Sequence, residues 1–248
     1  TSGYACILTA DLKKGYLTKE PEMLKMLSEI FENCHSHASR FASLADSANH
    51  AAEQMAFLSA TFSERSTGYS LQMEPCFMPV LTKEILQKYV RKDLPGREIF
   101  LVQLQDYTRQ LAKQKMIYIC SMEGILRFLQ NGRIPEIPDG LYEIPSASDR
   151  IQIVKALLAP ERATRLRILK NSIGNTETPV YLYITPKTGT LRLPLATDQM
   201  VNLQIQETGM LEAFYDFCEN LDEEMFYSFE EAEQIVEEEM KDGDWKTE

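Results

Sequence analysis

Basic and aromatic side chains in the second half of the sequence have the types and spacing that ligand binding needs. Six basic residues lie within one short stretch: Arg150, Lys155, Arg162, Arg165, Arg167 and Lys170. Arg165 and Arg167 are two residues apart, so a strand would place both on the same side. Arginine suits carboxylate and phosphate groups because its planar guanidinium donates two parallel hydrogen bonds. Three interpretations of this cluster are open: pairing with acidic helices of the same chain, a site for an anionic ligand, or contact with nucleic acid.

Two tyrosines form a second candidate element. Tyr181 and Tyr183 alternate with Leu182 and Ile184, so a strand would place both rings on one face and the aliphatic side chains on the other. The rings either line a ligand site or cover that face of the sheet against a helix. The candidate ligand-binding residues are therefore Arg165, Arg167, Tyr181 and Tyr183.

Residues with the chemistry for metal binding or catalysis are also present, but their spacing is poor. Cys34, His35 and His37 lie within four positions, yet on a helix His35 would point about 100° away from the other two. Adjacent carboxylates occur at Glu223 and Glu224 and again at 237–239, without the apolar surroundings that would raise a pKa. We expect neither a metal site nor a catalytic role for these groups.

The sequence contains none of the common catalytic or cofactor-binding motifs. Phosphate-binding loops, dinucleotide fingerprints, nucleophile elbows and zincin helices are all missing from it. We therefore expect no enzymatic activity, no catalytic residues and no cofactor.

The net charge of −11 originates in the C-terminal part of the chain. From Glu207 onward there are 16 acidic and 2 basic residues, a balance of −14, so the remainder carries +3. Such a run is either a solvated helix face or a partner-binding acidic surface. The overall acidity disfavours nucleic-acid binding by this chain alone, because the phosphate backbone attracts clustered Lys and Arg.

Apolar patterning and cysteine usage indicate a cytoplasmic protein. No stretch approaches the roughly 18 unbroken apolar residues that a membrane helix needs, and no basic-then-apolar leader is present. The five cysteines are an odd number and are widely spread. That favours reduced, buried thiols over a disulfide framework.

The ligand candidates belong to a stretch, 164–221, that predicts a small antiparallel sheet followed by a helix. Four strands are predicted, at Arg165–Lys170, Val180–Ile184, Thr190–Pro194 and Val201–Gln206. Turn residues between Thr185 and Gly189 favour a hairpin. The helix would cover the dry face of the sheet with Met210, Leu211, Phe214, Phe217, Cys218 and Leu221. A last helix follows, with Ser228 and Glu231 as a capping box.

The first half of the chain is predicted to be mostly helical. Helices are expected from Pro21, from about Ser36 to Phe62, from Thr82, from Arg97 and from Ser121, with one strand at Met116–Cys120. Residues 63–81 have loop composition, and 133–147 form a Pro-rich connection. The predicted fold class is α+β, with a mainly helical subdomain over 1–132, the connection at 133–147, and an α+β subdomain over 148–248.

The order of elements from Cys120 to Met240 resembles that of a known class of proteins. A strand, a short helix ending at Asn131-Gly132, a Pro-rich connection, a capped helix that opens at Ser146, a sheet and two helices follow one another. The last helix begins at Tyr227-Ser-Phe-Glu-Glu231. This resembles the C-terminal effector halves of bacterial helix-turn-helix transcriptional regulators, over about half of the chain. The resemblance implies a sensing and dimerising domain whose DNA-binding module precedes it. The chain begins with Thr1 and not with Met, and we expect that module to be missing from it.

We therefore expect a cytoplasmic, non-enzymatic regulatory domain of a bacterial transcriptional regulator. It would form a homodimer, with the Ala- and Ser-rich segment Phe41–Leu58 as the dimerisation helix, and bind an unknown small molecule or protein near the sheet. It would meet DNA only through the missing module and would not contact a membrane. The alternative is a stand-alone protein-interaction module that uses the acidic C-terminal surface, and a third interpretation is an enzyme with a site built from distant residues.

Overall fold

A computed structural model of the chain describes residues 4–8, 14–37, 42–45, 67–173, 180–194 and 200–243. The chain divides into two compact units, Thr1–Arg40 and Phe41–Glu248. The first unit contains an antiparallel pair of strands, β1 (Ala5–Leu8) and β2 (Gly15–Thr18), and helix α1 (Pro21–His37). Pro21 occupies the first turn of α1, as the sequence predicts.

A mixed sheet forms the centre of the second unit. Its seven described strands are β3 (Ala42–Ala45), β4 (Gly68–Gln72), β5 (Met116–Ser121), β6 (Leu166–Leu169), β7 (Tyr181–Ile184), β8 (Gly189–Pro194) and β9 (Met200–Ile205). Their order across the sheet is β3-β9-β8-β7-β4-β5-β6. β4, β5 and β6 run parallel, whereas β7, β8, β9 and β3 form antiparallel pairs.

The α+β class is confirmed, but the predicted sheet of about four antiparallel strands is wrong. β6 is not next to β7, because β4 and β5 from the first half of the chain lie between them. The parallel pairs arise because helices connect β4 to β5 and β5 to β6, and a crossover of this kind returns the chain in the same direction. The hairpin between β7 and β8 forms as predicted, with Thr185 N–H donating to the Thr188 carbonyl at 2.9 Å.

Six described helices belong to the second unit. They are α2 (Lys83–Tyr89), α3 (Arg97–Lys113), α4 (Met122–Asn131), α5 (Ala147–Leu157), α6 (Thr208–Glu219) and α7 (Phe229–Asp242). Side chains cap four of these helices at the residues where the sequence predicts a helix to begin: Thr82 for α2, Ser121 for α4, Ser146 for α5, and the Ser228–Glu231 capping box for α7. α4 ends at Gly132, whose φ of 68° lies in the left-handed region that favours glycine.

Helices cover both faces of the sheet. On one face, β5, β6 and β7 pack against α2–α5 and α7 in the larger core, which contains Phe77, Leu104, Ile125 and Val154. On the other face, α6 packs its buried Leu211 and Cys218 against the second core. Met210 and Phe217 do not join that core and are 49% and 45% exposed, so the predicted dry face of α6 is narrower than expected.

The segment 42–45 is a strand and not part of the helix predicted from about Ser36 to Phe62. β3 pairs with β9 at the edge of the sheet, with Ser43 opposite Asn202. Backbone hydrogen bonds to an open sheet edge override the helix propensity of Ala and Ser, which is worth only a few tenths of a kcal/mol per residue. Most of the segment that the dimer prediction concerns lies outside the described residues.

Strands on both sides of the Pro-rich segment 133–147 belong to the same sheet. The division into subdomains at 132 and 148 stays a prediction.

In the part of the chain that the structure describes, no helix has the length and apolar character needed to cross a bilayer.

Candidate functional site

Tyr181 and Tyr183 lie on the same face of β7, and both are buried in the larger core. The Tyr181 hydroxyl donates to Oε2 of Glu74 at 2.8 Å, and the Tyr183 hydroxyl donates to Oε1 of Gln72 at 3.0 Å. Burial raises the pKa of both phenols, so they stay neutral and can act as hydrogen-bond donors. The structure therefore places these two predicted ligand residues together, under the helices that cover the sheet.

Arg165 and Arg167 lie elsewhere. Arg165 is exposed and donates to the backbone carbonyl of Gln114 at 3.1 Å. Arg167 is on the opposite face of the sheet from the tyrosines, where it donates to Oε1 of Glu223 at 2.7 Å and its guanidinium lies 3.8 Å from the Phe226 ring centre. The Arg167–Glu223 pair is one contact of the kind expected if the basic cluster pairs with the acidic C-terminal region of the same chain. The ligand-binding role of both arginines stays a prediction.

Other polar side chains join the tyrosines on the covered face of the sheet. Residues directly opposite each other on neighbouring strands point to the same face. The partners of Tyr183 are Ser70 on β4 and Thr190 on β8, and those of Tyr181 are Gln72 and Arg192. Tyr118 on β5 is in turn opposite Ser70. Four neighbouring strands thus carry a continuous row of polar side chains into the core.

Helix α3 and the Pro-rich segment add two further groups above this row. Glu136 accepts a hydrogen bond at Oε1 from the Gln72 side-chain amide at 3.1 Å. Tyr107 comes from α3 and is buried in the same core. We call the whole set the polar cluster: Ser70, Gln72, Tyr107, Tyr118, Glu136, Tyr181, Tyr183, Thr190 and Arg192.

Several atoms of the polar cluster have no hydrogen-bond partner among the described residues. They are Ser70 Oγ, Tyr107 OH, Tyr118 OH, Glu136 Oε2, Thr190 Oγ1 and Arg192 Nε. Buried polar groups in proteins are nearly always paired, and each one left unpaired costs about 1–3 kcal/mol. Ordered water or a bound polar molecule satisfies such groups. The concentration of such atoms on one sheet face makes the polar cluster the candidate site.

The polar cluster also contains two buried charged groups of opposite sign. Glu136 is 4% exposed and Arg192 is 6% exposed. They form no ion pair with each other or with any other described residue, although the Arg192 charge acts on the Glu136 carboxyl. Burial raises the pKa of Glu136, and hydrogen bonds from Cys76 and Gln72 oppose that rise. Burial also raises the pKa of the neighbouring Cys76 thiol, so that thiol is not an activated nucleophile.

A second buried network, at the start of α5, is fully paired and has a structural role. Oδ2 of Asp149 accepts hydrogen bonds from Lys88, from the Tyr89 hydroxyl and from Ser146 Oγ. These contacts fix the first turn of α5 against α2.

An open cleft of about 530 Å³ lies nearby, lined by Gln130, Asn131, Ile144, Pro145, Ser146, Ala147, Ser148 and Arg150. Arg150 donates to the Gln130 carbonyl at the cleft wall, so its charge is already engaged.

No arrangement for metal binding is present in the described part of the chain, where no three His, Cys, Asp or Glu side chains lie close enough to hold an ion. The side chains of Cys34, His35 and His37 lie outside it. The described cysteines, Cys76, Cys120 and Cys218, are free and buried. Burial raises the pKa of Cys120 and of Cys218 to about 12, which keeps both as unreactive thiols.

Seven of the nine residues of the polar cluster are not among the predicted ligand residues, and three of them show why. Gln72 lies in a segment that has the composition of a loop. Glu136 lies between prolines in what reads as a linker. Arg192 alternates with Leu191 and Leu193, and this alternation normally indicates a solvent-facing residue. One signal in the sequence could have indicated Arg192 as a site residue. The predicted hairpin requires the polar side of β8 to lie on the same face of the sheet as the tyrosines of β7.

Comparisons with models of known protein families, with curated proteins and with solved structures find no match to this chain.

Proposed function

We propose that this chain is a non-enzymatic regulatory domain that senses a small polar molecule through the polar cluster. The binding state would be passed to a DNA-binding module outside this chain, as in the bacterial regulators that the sequence resembles. The observation that carries the sensing role is the set of buried and unpaired polar atoms contributed by Glu136, Arg192, Tyr107 and Tyr118. A bound molecule that forms hydrogen bonds with these atoms would stabilise the domain. A switch depends on such a difference in free energy between the bound and unbound states.

The position of the cluster favours coupling between binding and structure. Its members come from α3, from the Pro-rich segment before α5, and from four strands, so several elements meet at one place. A ligand that contacts all of them would change how the helical layer packs on the sheet. Because every member is buried, binding requires an opening of that layer, and we expect slow association.

A thermal-shift screen against a library of small polar metabolites tests the sensing role. We expect at least one compound to raise the melting temperature of the wild-type chain and to leave that of Glu136→Gln unchanged. In the native protein, the same compound should change affinity for DNA upstream of its own gene. The proposal fails if every stabilising compound acts equally on wild type and Glu136→Gln, or if the native protein binds no such DNA.

A stand-alone interaction module is the second candidate, and the acidic C-terminal surface favours it. Glu223 is 87% exposed even while it pairs with Arg167, and Glu237 and Glu238 of α7 are exposed. Such a surface suits a basic protein partner. Reversing the charges at Glu237 and Glu238 should then abolish capture of that partner. Capture that survives the reversal would identify the acidic face as solvated surface.

A further inference from the structure

We propose that the ligand of the polar cluster is a small zwitterion, with its carboxylate at Arg192 and Thr190 and its ammonium group at Glu136. This inference deepens the proposed function and rests on it.

The anion-binding end is built by two side chains of β8. Arg192 and Thr190 are two residues apart and point to the same covered face, and both are buried. Arg192 Nε and Thr190 Oγ1 have no hydrogen-bond partner among the described residues. A guanidinium donor beside a hydroxyl is a common arrangement for holding a carboxylate, because charge-assisted hydrogen bonds are stronger than neutral ones.

The cation-binding end is built by Glu136. Its Oε1 is held by Gln72 at 3.1 Å, which fixes the carboxyl group, while Oε2 has no partner in the described part of the chain. The free oxygen can accept a hydrogen bond from an ammonium group. Gln72, which holds Glu136, and Arg192 are both directly opposite Tyr181, so the two ends lie on one line across three neighbouring strands.

A zwitterion suits this site better than a ligand with one charge. Burying an uncompensated charge is costly. An anion bound at Arg192 would leave the charge of Glu136 uncompensated, and a cation bound at Glu136 would leave the charge of Arg192 uncompensated. A ligand with both charges compensates both ends and adds no net charge to the core.

The sheet geometry limits the size of the ligand. Gln72, which holds Glu136, is on β4, and Arg192 is on β8, with β7 between them. Neighbouring strands are about 4.8 Å apart, so the two backbones are about 10 Å apart before the side chains extend from them. We therefore expect only a few bonds between the two charges, as in an α-, β- or γ-amino acid.

Thermal shift and calorimetry on the whole chain test this inference. The probes are the common α-amino acids, β-alanine and γ-aminobutyrate, with propylamine and propionate as analogues that carry one charge. We expect at least one amino acid to raise the melting temperature, and neither single-charge analogue to do so at the same concentration. Glu136→Gln and Arg192→Lys should each weaken binding at least about tenfold, as loss of a charged hydrogen bond does.

Two controls keep the outcomes distinct. Arg167→Gln, on the opposite face of the sheet, should bind the amino acid as wild type does. Circular dichroism checks that the variants fold. If Arg192→Lys does not fold, Glu136→Gln still tests the inference, because it preserves the shape of the side chain. If a single-charge compound or another polar metabolite binds and depends on Glu136, the zwitterion inference is wrong and the sensing role stands. If no compound binds in a way that depends on the cluster, both are wrong.

Discussion

Gln72 and Glu136 are 64 residues apart in the chain, and the Gln72 amide donates to the Glu136 carboxyl at 3.1 Å inside the core. The contact joins β4, where the parallel and antiparallel parts of the sheet meet, to the Pro-rich segment that precedes α5. It also orients the one charged group that this segment contributes to the polar cluster. The Pro-rich segment is therefore a wall of the candidate site as well as a connection.

Replacing Gln72 with Leu should destabilise the fold. The change keeps the approximate volume of the side chain but removes the donor to Glu136 and the acceptor for the Tyr183 hydroxyl. We expect a loss of about 1–3 kcal/mol in the free energy of unfolding, measured by urea denaturation. Tyr181→Phe is the control, because its hydroxyl bonds to a partly exposed Glu74 and should cost less. An unchanged urea midpoint for Gln72→Leu would contradict the contact.

Glu136 should make stability fall as the pH rises. Its folded-state pKa is raised above the ordinary value of 4.5, chiefly by burial. Between pH 4.5 and that folded pKa, the native state keeps a proton that the unfolded state has lost, so the free energy of unfolding decreases with pH over that window. Glu136→Gln cannot titrate and should flatten this part of the profile. Urea denaturation across the window measures it, and identical slopes for variant and wild type would rule out a buried, titrating Glu136.

Asp149 should have the opposite effect, at acid pH. Hydrogen bonds from Lys88 and Tyr89 lower the pKa of Asp149 below its ordinary value of 3.8. Its stabilising effect is complete above pH 3.8 and is lost as the pH falls through the lower folded pKa. Asp149→Asn should therefore lower the free energy of unfolding by about 1–3 kcal/mol at neutral pH. The difference in this free energy between variant and wild type should shrink in acid. A difference that is constant with pH would contradict the network at the start of α5.

Gly124 on α4 should not tolerate a side chain. A Cβ atom there would lie 2.1 Å from the Met73 carbonyl oxygen, far inside van der Waals contact with backbone that cannot move away freely. The same carbonyl oxygen accepts hydrogen bonds from the Ser121 N–H and hydroxyl, which fixes it beside the start of α4. We expect Gly124→Ala to lower the melting temperature strongly although Ala is the better helix former. Gly140→Ala, with open space around the Cβ position, is the control.

How well the sequence predicted each part depended on what stabilises that part. Local signals were reliable: the caps at Ser121, Ser146 and Ser228, and the hairpin at Thr185, depend on neighbouring residues only. β4 was missed because Gly68, Pro75 and Pro79 give the segment 63–81 the composition of a loop. The polar residues of β4, Ser70 and Gln72, belong to the polar cluster and add no apolar pattern that would indicate a strand. The parallel pairing of β4, β5 and β6 depends on contacts between distant segments, which have no local signature. The residues hardest to predict from the sequence are thus those of the candidate site.

Calorimetric titration of matched arginine variants tests the central claim most directly. Arg192 and Arg167 lie on opposite faces of one sheet, and both are candidates for an anionic group. The titrant is the compound that gives the largest thermal shift with the wild-type chain. We expect Arg192→Gln to lose at least about tenfold in affinity and Arg167→Gln to match wild type. Loss of binding in Arg167→Gln, with full binding in a folded Arg192→Gln, would contradict the polar cluster as the sensing site.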